Sequence, residues 1–226
     1  MKVIKQSVEN LSCTSNAMKL IELAGRTCYK SEDKITDDSA EAFVRMLLKR
    51  GHESVLEHAS ATFKIICDRG VSHEIVRHRI ASYSQESTRY VKYGELEVVI
   101  PDELIDELWT EVFGQVFPVH VTEDNLVIRL SPSQKAWSMA CLEAETCYTE
   151  MLNAGEKPQT ARSVLPTCLK TEVVMTANFR EWRHFIRLRT AKGAHPQIQE
   201  IAGLIKDWFD EKYPVIMEFN ESGRKI

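Results

Sequence analysis

Apolar residues recur at helical spacing in several segments of the chain. Phe43 and Leu47 mark one helix, which begins at Asp38 or Ser39 and ends before Gly51. Apolar spacing, caps and prolines predict further helices at residues 72–77, 133–152, 158–162, 179–189 and 196–209. In the helix over 133–152 one apolar stripe continues over its whole length, so it is predicted to be the longest.

Alternating apolar and polar residues predict strands at other places. The segments 61–67 and 169–177 alternate, and 97–100 is a short run of β-prone residues closed by Pro101. The serine-rich stretch after Arg79 is expected to leave the preceding helix as a loop. Strands interspersed with helices, with no repeat or linker between them, predict one α/β (α+β) domain over residues 1–226.

The composition is that of an ordinary globular protein. Hydrophobic residues make up 43% of the 226 residues, which is enough to form one sizeable core. The sequence has no apolar run long enough to span a bilayer, and its first residues lack the long apolar stretch of a secretory signal. We therefore expect a cytoplasmic protein that has no membrane partner.

Cysteine, histidine and glycine patterns argue against several kinds of site. The six cysteines form no C-x-x-C pair, so we expect reduced thiols with neither zinc nor disulfides. The segment from His52 to His58 does not have the spacing of a zinc-protease helix, and no metal is predicted there. The nine glycines form no G-x-G motif, so a nucleotide cofactor must be held without a glycine-rich loop.

Positive charge is concentrated in two short segments, although the net charge of the chain is -4. One cluster lies between Arg77 and Lys92 and the other between Arg180 and Lys192. Binding to a polynucleotide gains from charge that is spread along a track, so two compact clusters favour a small phosphorylated ligand. The alternative is a nucleotide- or RNA-binding module that uses both clusters. It predicts a colourless protein whose binding to long anionic polymers depends steeply on salt.

The densest polar segment is 77–90, in which nearly every residue can form a hydrogen bond. If the preceding helix continued through Arg79, then Glu74, Arg77 and His78 would share one helical face. Arginines followed by hydroxyl donors can hold a phosphate group. The alternative is a solvated basic end of a helix with a polar turn, and charge spacing alone favours that alternative.

The predicted helix 179–189 carries two stripes of side chains. One stripe is polar and contains Arg180, Arg183, His184 and Arg187. The other stripe is apolar except for Arg189. Two interpretations remain open for that arginine: its side chain extends to the solvent at the edge of the core, or it is held in a pocket against an anionic or carbonyl-rich ligand.

The order of these motifs resembles that of a known family. Arg77-His78-Arg79, seven intervening residues and Ser87 match the RHR-x7-S signature of the flavin-dependent thymidylate synthases. Residues 51–58, 161–166 and 178–189 also resemble that family, in the same order along the chain. The resemblance implies a single domain in which a central mixed or antiparallel sheet is flanked by helices.

The resemblance also implies an activity, namely the reductive methylation of dUMP to dTMP. The carbon donor would be 5,10-methylenetetrahydrofolate and the reductant NADPH-reduced FAD, and tetrahydrofolate would be released. The implied assembly is a homotetramer in which the polar segment with Ser87 reaches the active site of a neighbouring subunit. None of the six cysteines lies in the segments 77–89 or 178–189, which fits a mechanism without an enzyme thiolate.

Carried over position by position, the resemblance implies three sets of site residues. The catalytic residue would be Arg189, whose fixed positive charge would lie against the uracil ring. The dUMP contacts would be Glu74, Ile75, Val76, Arg77, Gln85, Glu86, Ser87, Thr88, Arg89, Arg162 and Arg189. The FAD contacts would be His52, Ser54, Arg77, His78, Arg79, Gln85, Asn178, Phe179, Arg180 and His184. Ser87 is assigned to positioning the nucleotide, because the signature supplies no adjacent base that would make it a nucleophile.

Overall fold

The computed structural model describes residues 1–126 and 130–218. The chain divides into two compact units that are interleaved in sequence. Unit 1 contains Met1–Ser7, Ile65–Arg77 and Ser84–Val173, and unit 2 contains Val8–Lys64, His78–Tyr83 and the residues from Val174 onward. That residues 1–226 form a single domain stays a prediction.

The strands form two sheets. They are β1 (Lys2–Ile4), β2 (Ser7–Cys13), β3 (Ser60–Asp68), β4 (Ala81–Gln85), β5 (Glu97–Val99), β6 (Val119–His120) and β7 (Lys170–Asn178). One sheet has the order β5-β1-β6, and the other has the order β2-β3-β7-β4. Strand β1 pairs parallel with β5 and antiparallel with β6, so the smaller sheet is mixed.

Helices accompany both sheets. They are α1 (Ala17–Thr27), α2 (Ser39–Lys49), α3 (Arg69–Ile75), α4 (Glu107–Phe113), α5 (Glu123–Leu126), α6 (Pro132–Asn153), α7 (Pro158–Ala161), α8 (Phe179–Arg189), α9 (Pro196–Lys212) and α10 (Pro214–Met217). Short 3-10 turns occupy Glu32–Lys34, Glu53–His58, Asp102–Leu104 and Arg162–Val164. The predicted mixed α/β fold class is confirmed. In the described part of the chain, no helix combines the length and the apolar character needed to cross a membrane.

Each unit has its own apolar core. In unit 1, Val3 and Val98 of the smaller sheet pack with Trp109 of α4 and Cys141 of α6. In unit 2, β3 and α8 are joined through Trp182, whose ring lies edge-on to Phe63 at 5.0 Å and whose indole N–H donates to the Ala61 carbonyl at 3.1 Å. Trp182 is fully buried. The first turn of α8 is therefore fixed against β3.

The start of α3 differs from the prediction that Ser72 caps this helix. The cap is Asp68, whose Oδ1 accepts a hydrogen bond from the backbone N–H of Val71 at 2.6 Å. Ser72 lies inside the helix, and its hydroxyl donates to the carbonyl of Arg69 at 2.8 Å. The prediction was wrong because a serine hydroxyl can bond within a helical turn as well as cap one.

The polar segment that follows α3 also differs from the prediction. The helix ends at Ile75, so Arg77 and His78 do not share a helical face with Glu74. The serine-rich stretch is a strand and not a loop, because β4 extends over Ala81–Gln85 beside β7. Half-buried and exposed side chains alternate along β4, which is an edge strand of the larger sheet.

Candidate active site

A cavity of about 390 Å³ lies at the N-terminal half of α8 in unit 2. We call it the α8 cavity. Its lining is rich in hydrogen-bond donors and consists of Glu53, Glu57, Ile80, Asn178, Arg180, Glu181, Arg183, His184 and Arg187. Asn178 caps the helix, since its Oδ1 accepts from the backbone N–H of Glu181 at 2.8 Å. Three of the predicted flavin residues, Asn178, Arg180 and His184, thus line one cavity.

Carboxylates already pair with two guanidinium groups in the α8 cavity. Arg180 Nη1 lies 2.6 Å from Glu57 Oε1, and both side chains are about half exposed. Arg183 Nη2 lies 3.3 Å from Glu53 Oε1. An exposed ion pair contributes little to stability, so a phosphate group can replace Glu57 as the partner of Arg180 at low cost.

Arg183 differs in burial from the other members of the polar stripe, Arg180, His184 and Arg187, which are exposed. Its side chain is buried, with 6% of the residue exposed, and it donates hydrogen bonds to the carbonyl groups of Ile216 and, at 3.3 Å, Glu218. The end of α10 covers Arg183, whereas the rest of the polar face of α8 stays exposed. Arg183 therefore ties α8 to the C-terminal segment of unit 2.

A hydrogen-bonded chain of three side chains lies beside the α8 cavity. His78 Nδ1 is 3.0 Å from Glu181 Oε1, and Arg189 Nε donates to His78 Nε2 at 3.1 Å. His78 is 5% exposed and Glu181 is 8% exposed, whereas Arg189 is half-buried. The sequence left two interpretations of Arg189 open. Simple extension of the side chain to the solvent does not describe the structure, because buried His78 accepts a hydrogen bond from Arg189.

The ring of His78 is neutral in this arrangement. Burial lowers the pKa of His78 below its usual 6.5, the hydrogen bond to Glu181 opposes that shift, and the charges of Arg189 and His184 add to it. Since a guanidinium can only donate, Nε2 accepts from Arg189 and Nδ1 carries the proton that is donated to Glu181. One ligand atom each of His78, Glu181 and His184 lies within 4.8 Å of the others. A cation there would have to displace that proton or the neighbouring guanidinium, so this group suits a metal ion poorly.

The remaining predicted flavin residues of unit 2 have varied positions. His52, just before the 3-10 turn Glu53–His58, and Ser54, inside it, are both exposed, and Arg79 is exposed before β4. The hydroxyl of Tyr29 lies 3.4 Å from His52 Nδ1. Phe179 is fully buried in the core, so only its backbone can meet a ligand.

The second set of predicted residues meets in unit 1. Arg162 Nη1 donates to the hydroxyl of Thr88 at 3.3 Å, and Arg89 Nε donates to Gln159 Oε1 at 3.3 Å. The backbone N–H of Arg89 donates to Ser87 Oγ at 3.3 Å. The oxygens of Thr88 and Gln159 that accept from the two guanidinium groups are neutral, so a phosphate group would be a stronger acceptor than either.

A cavity of about 480 Å³ adjoins these residues in unit 1. We call it the Arg162 cavity. Its lining consists of Arg69, His73, Thr88, Gln159, Arg162, Ser163, Leu165, Pro166, Thr167 and Leu169. Guanidinium groups, an imidazole and hydroxyl-bearing side chains adjacent to one another are suited to an anionic ligand.

Two predicted nucleotide residues take part in hydrogen bonds within unit 1. Gln85 Nε2 donates to Ser72 Oγ at 2.9 Å and to Thr171 Oγ1 at 3.3 Å. Glu86 accepts from the Tyr93 hydroxyl at 2.9 Å and lies 3.3 Å from Lys170 Nζ. The side chains of Gln85 and Glu86 thus fix the polar segment in position.

The predicted nucleotide residues at the end of α3 are divided between core and surface. Ile75 is fully buried, and the backbone N–H of Arg77 donates to the Glu74 carbonyl at 3.3 Å. Glu74 and Val76 are half-buried, and Arg77 is exposed. A ligand can meet the side chain of Arg77 and only the backbone of Ile75.

The sequence interpretation missed several residues of these clusters. Arg69 and His73 line the Arg162 cavity because they lie on α3, and no local pattern relates α3 to Arg162. Glu181 is the third residue of α8 after the Asn178 cap, which is where a capping glutamate is common. That signal identifies Glu181 as a cap residue, but its contact with His78 depends on tertiary structure.

All six cysteines are free thiols in the structure. Cys141 Sγ lies 3.4 Å from Cys168 Sγ in unit 1. Burial is the main cause of the raised pKa of Cys67, which is about 12, and Cys67 is fully buried. A thiol in that setting packs as a small apolar side chain.

Comparison with known proteins identifies relatives of the chain. The family model for the thymidylate synthase complementing protein matches residues 10–215. The flavin-dependent thymidylate synthase of Corynebacterium glutamicum is 34% identical to this chain, over 88% of this chain and 83% of the relative. That of Pyrococcus furiosus is also 34% identical, over 81% of this chain and 68% of the relative. That of Mycobacteroides abscessus is 38% identical over 81% of this chain and 71% of the relative.

A solved structure has a similar fold. It is a crystal structure of a UMP/dUMP methylase, PolB, from Streptomyces cacaoi, bound with 5-Br dUMP. The TM-score is 0.76 at 25% sequence identity, and the match covers 96% of this chain and 95% of the other. The likeness therefore extends over both units.

Proposed function

The chain belongs to the family of flavin-dependent thymidylate synthases, and from that premise we propose the full reaction. The protein is a flavin-dependent enzyme that methylates dUMP. In our proposal dUMP, 5,10-methylenetetrahydrofolate, NADPH and a proton are converted to dTMP, tetrahydrofolate and NADP⁺, with FAD as the flavin. The whole chain acts as one catalytic domain.

The α8 cavity is the proposed flavin site. Its donor set consists of guanidinium groups, an amide and an imidazole, which is suited to the phosphate groups and carbonyl oxygens of FAD. Arg180 would exchange its exposed ion pair with Glu57 for a phosphate, and Asn178 and His184 would complete the contacts. Reduced FAD would supply the electron pair that the methylation consumes. The other flavin contacts, from His52, Ser54, Arg77, His78, Arg79, Gln85 and the backbone of Phe179, are proposed on the same basis.

The cluster around Arg89 and Arg162 is the proposed site of the dUMP phosphate. Ser87 and Thr88 would add hydroxyl donors, and the neutral oxygens near both arginines support the assignment, since a phosphate would bind more strongly. Further nucleotide contacts are proposed for Gln85, Glu86 and the end of α3, residues 74–77. The phosphate would thus be held by paired guanidinium groups and not by a glycine-rich loop.

Arg189 is the proposed catalytic residue. The observation that carries this proposal is the hydrogen bond from Arg189 Nε to buried, neutral His78. A guanidinium whose position is fixed in advance can stabilise negative charge on the uracil ring, which makes C5 a better nucleophile toward the one-carbon group. The ring is thereby polarised without a nucleophile from the protein.

We propose a homotetramer whose subunits share their active sites. The phosphate-binding residues of one subunit would meet Arg189 of its neighbour. Exposed apolar side chains within the polar segment 77–90 support this assembly, because Ile80 is 68% exposed and Tyr90 is 76% exposed. Large apolar groups exposed beside functional residues are typical of interaction surfaces.

The purified protein is expected to be yellow, or to become so when FAD is added and excess flavin is removed. Its NADPH oxidation is expected to increase when dUMP is present, because the flavin and the nucleotide occupy one active site. A visible absorption spectrum and an NADPH consumption assay check both expectations. A colourless protein that bound long RNA with steep salt dependence would instead favour a nucleic-acid-binding module.

A further inference from the structure

We propose that Glu181 and His78 are positioning residues that fix the orientation of the Arg189 guanidinium, with Glu181 acting through His78. The inference rests on the proposed role of Arg189 toward the uracil ring. It assigns Glu181 a part in the reaction that neither the signature motif nor the cap position of Glu181 implies.

The geometry of the three side chains determines where each proton lies. Glu181 Oε1 can only accept, and it lies 3.0 Å from His78 Nδ1. Arg189 Nε can only donate, and it lies 3.1 Å from His78 Nε2. A single ring tautomer satisfies both ends, with the proton on Nδ1 and the lone pair on Nε2. The carboxylate therefore selects the tautomer that can accept from Arg189.

The chain of contacts begins and ends on the same helix. Glu181 and Arg189 are separated by eight residues of α8, a rise of roughly 12 Å. His78 bridges this distance from a different segment, and its ring packs edge-on to Phe185 with 4.9 Å between ring centroids. The hydroxyl of Tyr83 donates to the His78 carbonyl at 2.5 Å and fixes the backbone. The bridging ring is thus held by packing as well as by hydrogen bonds.

Burial keeps the His78 ring neutral. Burial lowers the pKa of His78, partly opposed by its hydrogen bond to Glu181, and Arg189 and His184 lower it further. Protonation of Nε2 would remove the acceptor and place a second positive charge against Arg189. The contact is therefore retained above the lowered pKa of His78 and is lost when the pH falls below it.

The hydrogen bond from Arg189 Nε to His78 is compatible with ligand binding by the same arginine. A free arginine side chain samples many rotamers, and fixing it costs conformational entropy. The bond to His78 fixes the side chain before the ligand binds, and it occupies neither terminal nitrogen. Arg189 can therefore direct its terminal N–H groups toward the uracil ring and still keep the hydrogen bond from Nε to His78.

Solid-state ¹⁵N NMR of histidine-labelled protein tests the hydrogen-bond chain without any turnover. The His78 signal is assigned from its absence in the variant His78→Gln. We expect a single neutral tautomer protonated at Nδ1 in the wild type at pH 7, and a mixture of tautomers in Glu181→Gln. A wild-type ring protonated at Nε2, or at both nitrogens, would overturn the proposal. Because this test needs no thymidylate formation, its failure is distinguishable from failure of the proposed function.

Steady-state kinetics test the consequence for Arg189. Glu181→Gln is expected to lower kcat about tenfold, with the KM for dUMP and flavin retention little changed, since misdirecting a catalytic group lowers the rate more than binding. The control is Glu41→Gln, which removes an exposed carboxylate that pairs with Arg45 on α2 and should leave kcat unchanged. An unchanged kcat in Glu181→Gln, or an equal loss of flavin, would refute a positioning role. If Glu181→Gln does not fold, Arg189→Lys decides the same question, because it keeps the charge and loses the Nε–H donor.

Discussion

Replacement of Arg189 by alanine is expected to lower kcat about 100- to 1,000-fold, which is the effect of removing one fixed electrostatic contact from a transition state. Arg189 is half-buried and held by His78, so its charge is fixed before the substrate binds. Its proposed contact is with the pyrimidine, and it does not line the α8 cavity. Flavin retention, measured from the absorption spectrum after gel filtration, should therefore change little.

The matched variant Arg189→Lys separates charge from orientation. Lysine retains the positive charge but has no Nε–H group to donate to His78. It should recover part of the lost kcat and remain well below the wild type. Equal losses of turnover and of flavin in Arg189→Ala would show that the residue serves folding or flavin binding instead.

Replacement of Arg162 by alanine is expected to raise the KM for dUMP about 10- to 100-fold, which corresponds to the loss of one or two hydrogen bonds to a charged group. Arg162 lies in unit 1, in contact with Thr88, and it lines the Arg162 cavity. The flavin residues of the α8 cavity are in unit 2, so flavin retention should not change. Initial rates over a range of dUMP concentrations measure the effect.

Arg50→Ala is the control for Arg162→Ala. Arg50 is an exposed arginine at the C-terminal end of α2, and its removal lowers the net charge by the same amount. It should leave the KM for dUMP unchanged. A similar rise in both variants would mean that general attraction of the anion, and not a contact with Arg162, accounts for the result.

Elements with a strong local signal were predicted well. Helix α8 begins and ends at the predicted residues, because Asn178 supplies a cap and the apolar stripe of Trp182, Phe185 and Ile186 continues along one face. Strands β3 and β7 also agree with the prediction within about one residue, since buried and half-buried side chains alternate along both. In these segments local propensity and the buried face lead to the same result.

Strand β4 was missed because no local signal marks it. Its sequence Ala81-Ser82-Tyr83-Ser84-Gln85 contains no fully buried side chain, so it lacks the apolar alternation that reveals a strand. Its place beside β7 in the sheet is a matter of tertiary structure. Hydrogen bonds such as that from Gln85 to Ser72 also depend on residues distant in sequence.

The candidate site was predicted only as far as the motif extends. The signature and the helix after Asn178 identified residues that do line the α8 cavity, such as Arg180 and His184. The unusual place of Arg189 on an apolar stripe was visible in the sequence, but its partner was not, because His78 is 111 residues away. The burial of Arg183 was not predicted, because helical spacing alone cannot show that Ile216 and Glu218 contact its side chain.

In the proposed reaction a flavin provides the electrons and the folate provides only the carbon. The most direct test is a single anaerobic turnover of protein loaded with chemically reduced FAD, with dUMP and 5,10-methylenetetrahydrofolate and without NADPH. We expect dTMP and tetrahydrofolate to form in equal amounts and the absorbance of oxidised flavin to return. Formation of dihydrofolate, or an equal yield of dTMP from protein without flavin, would contradict the proposed reaction.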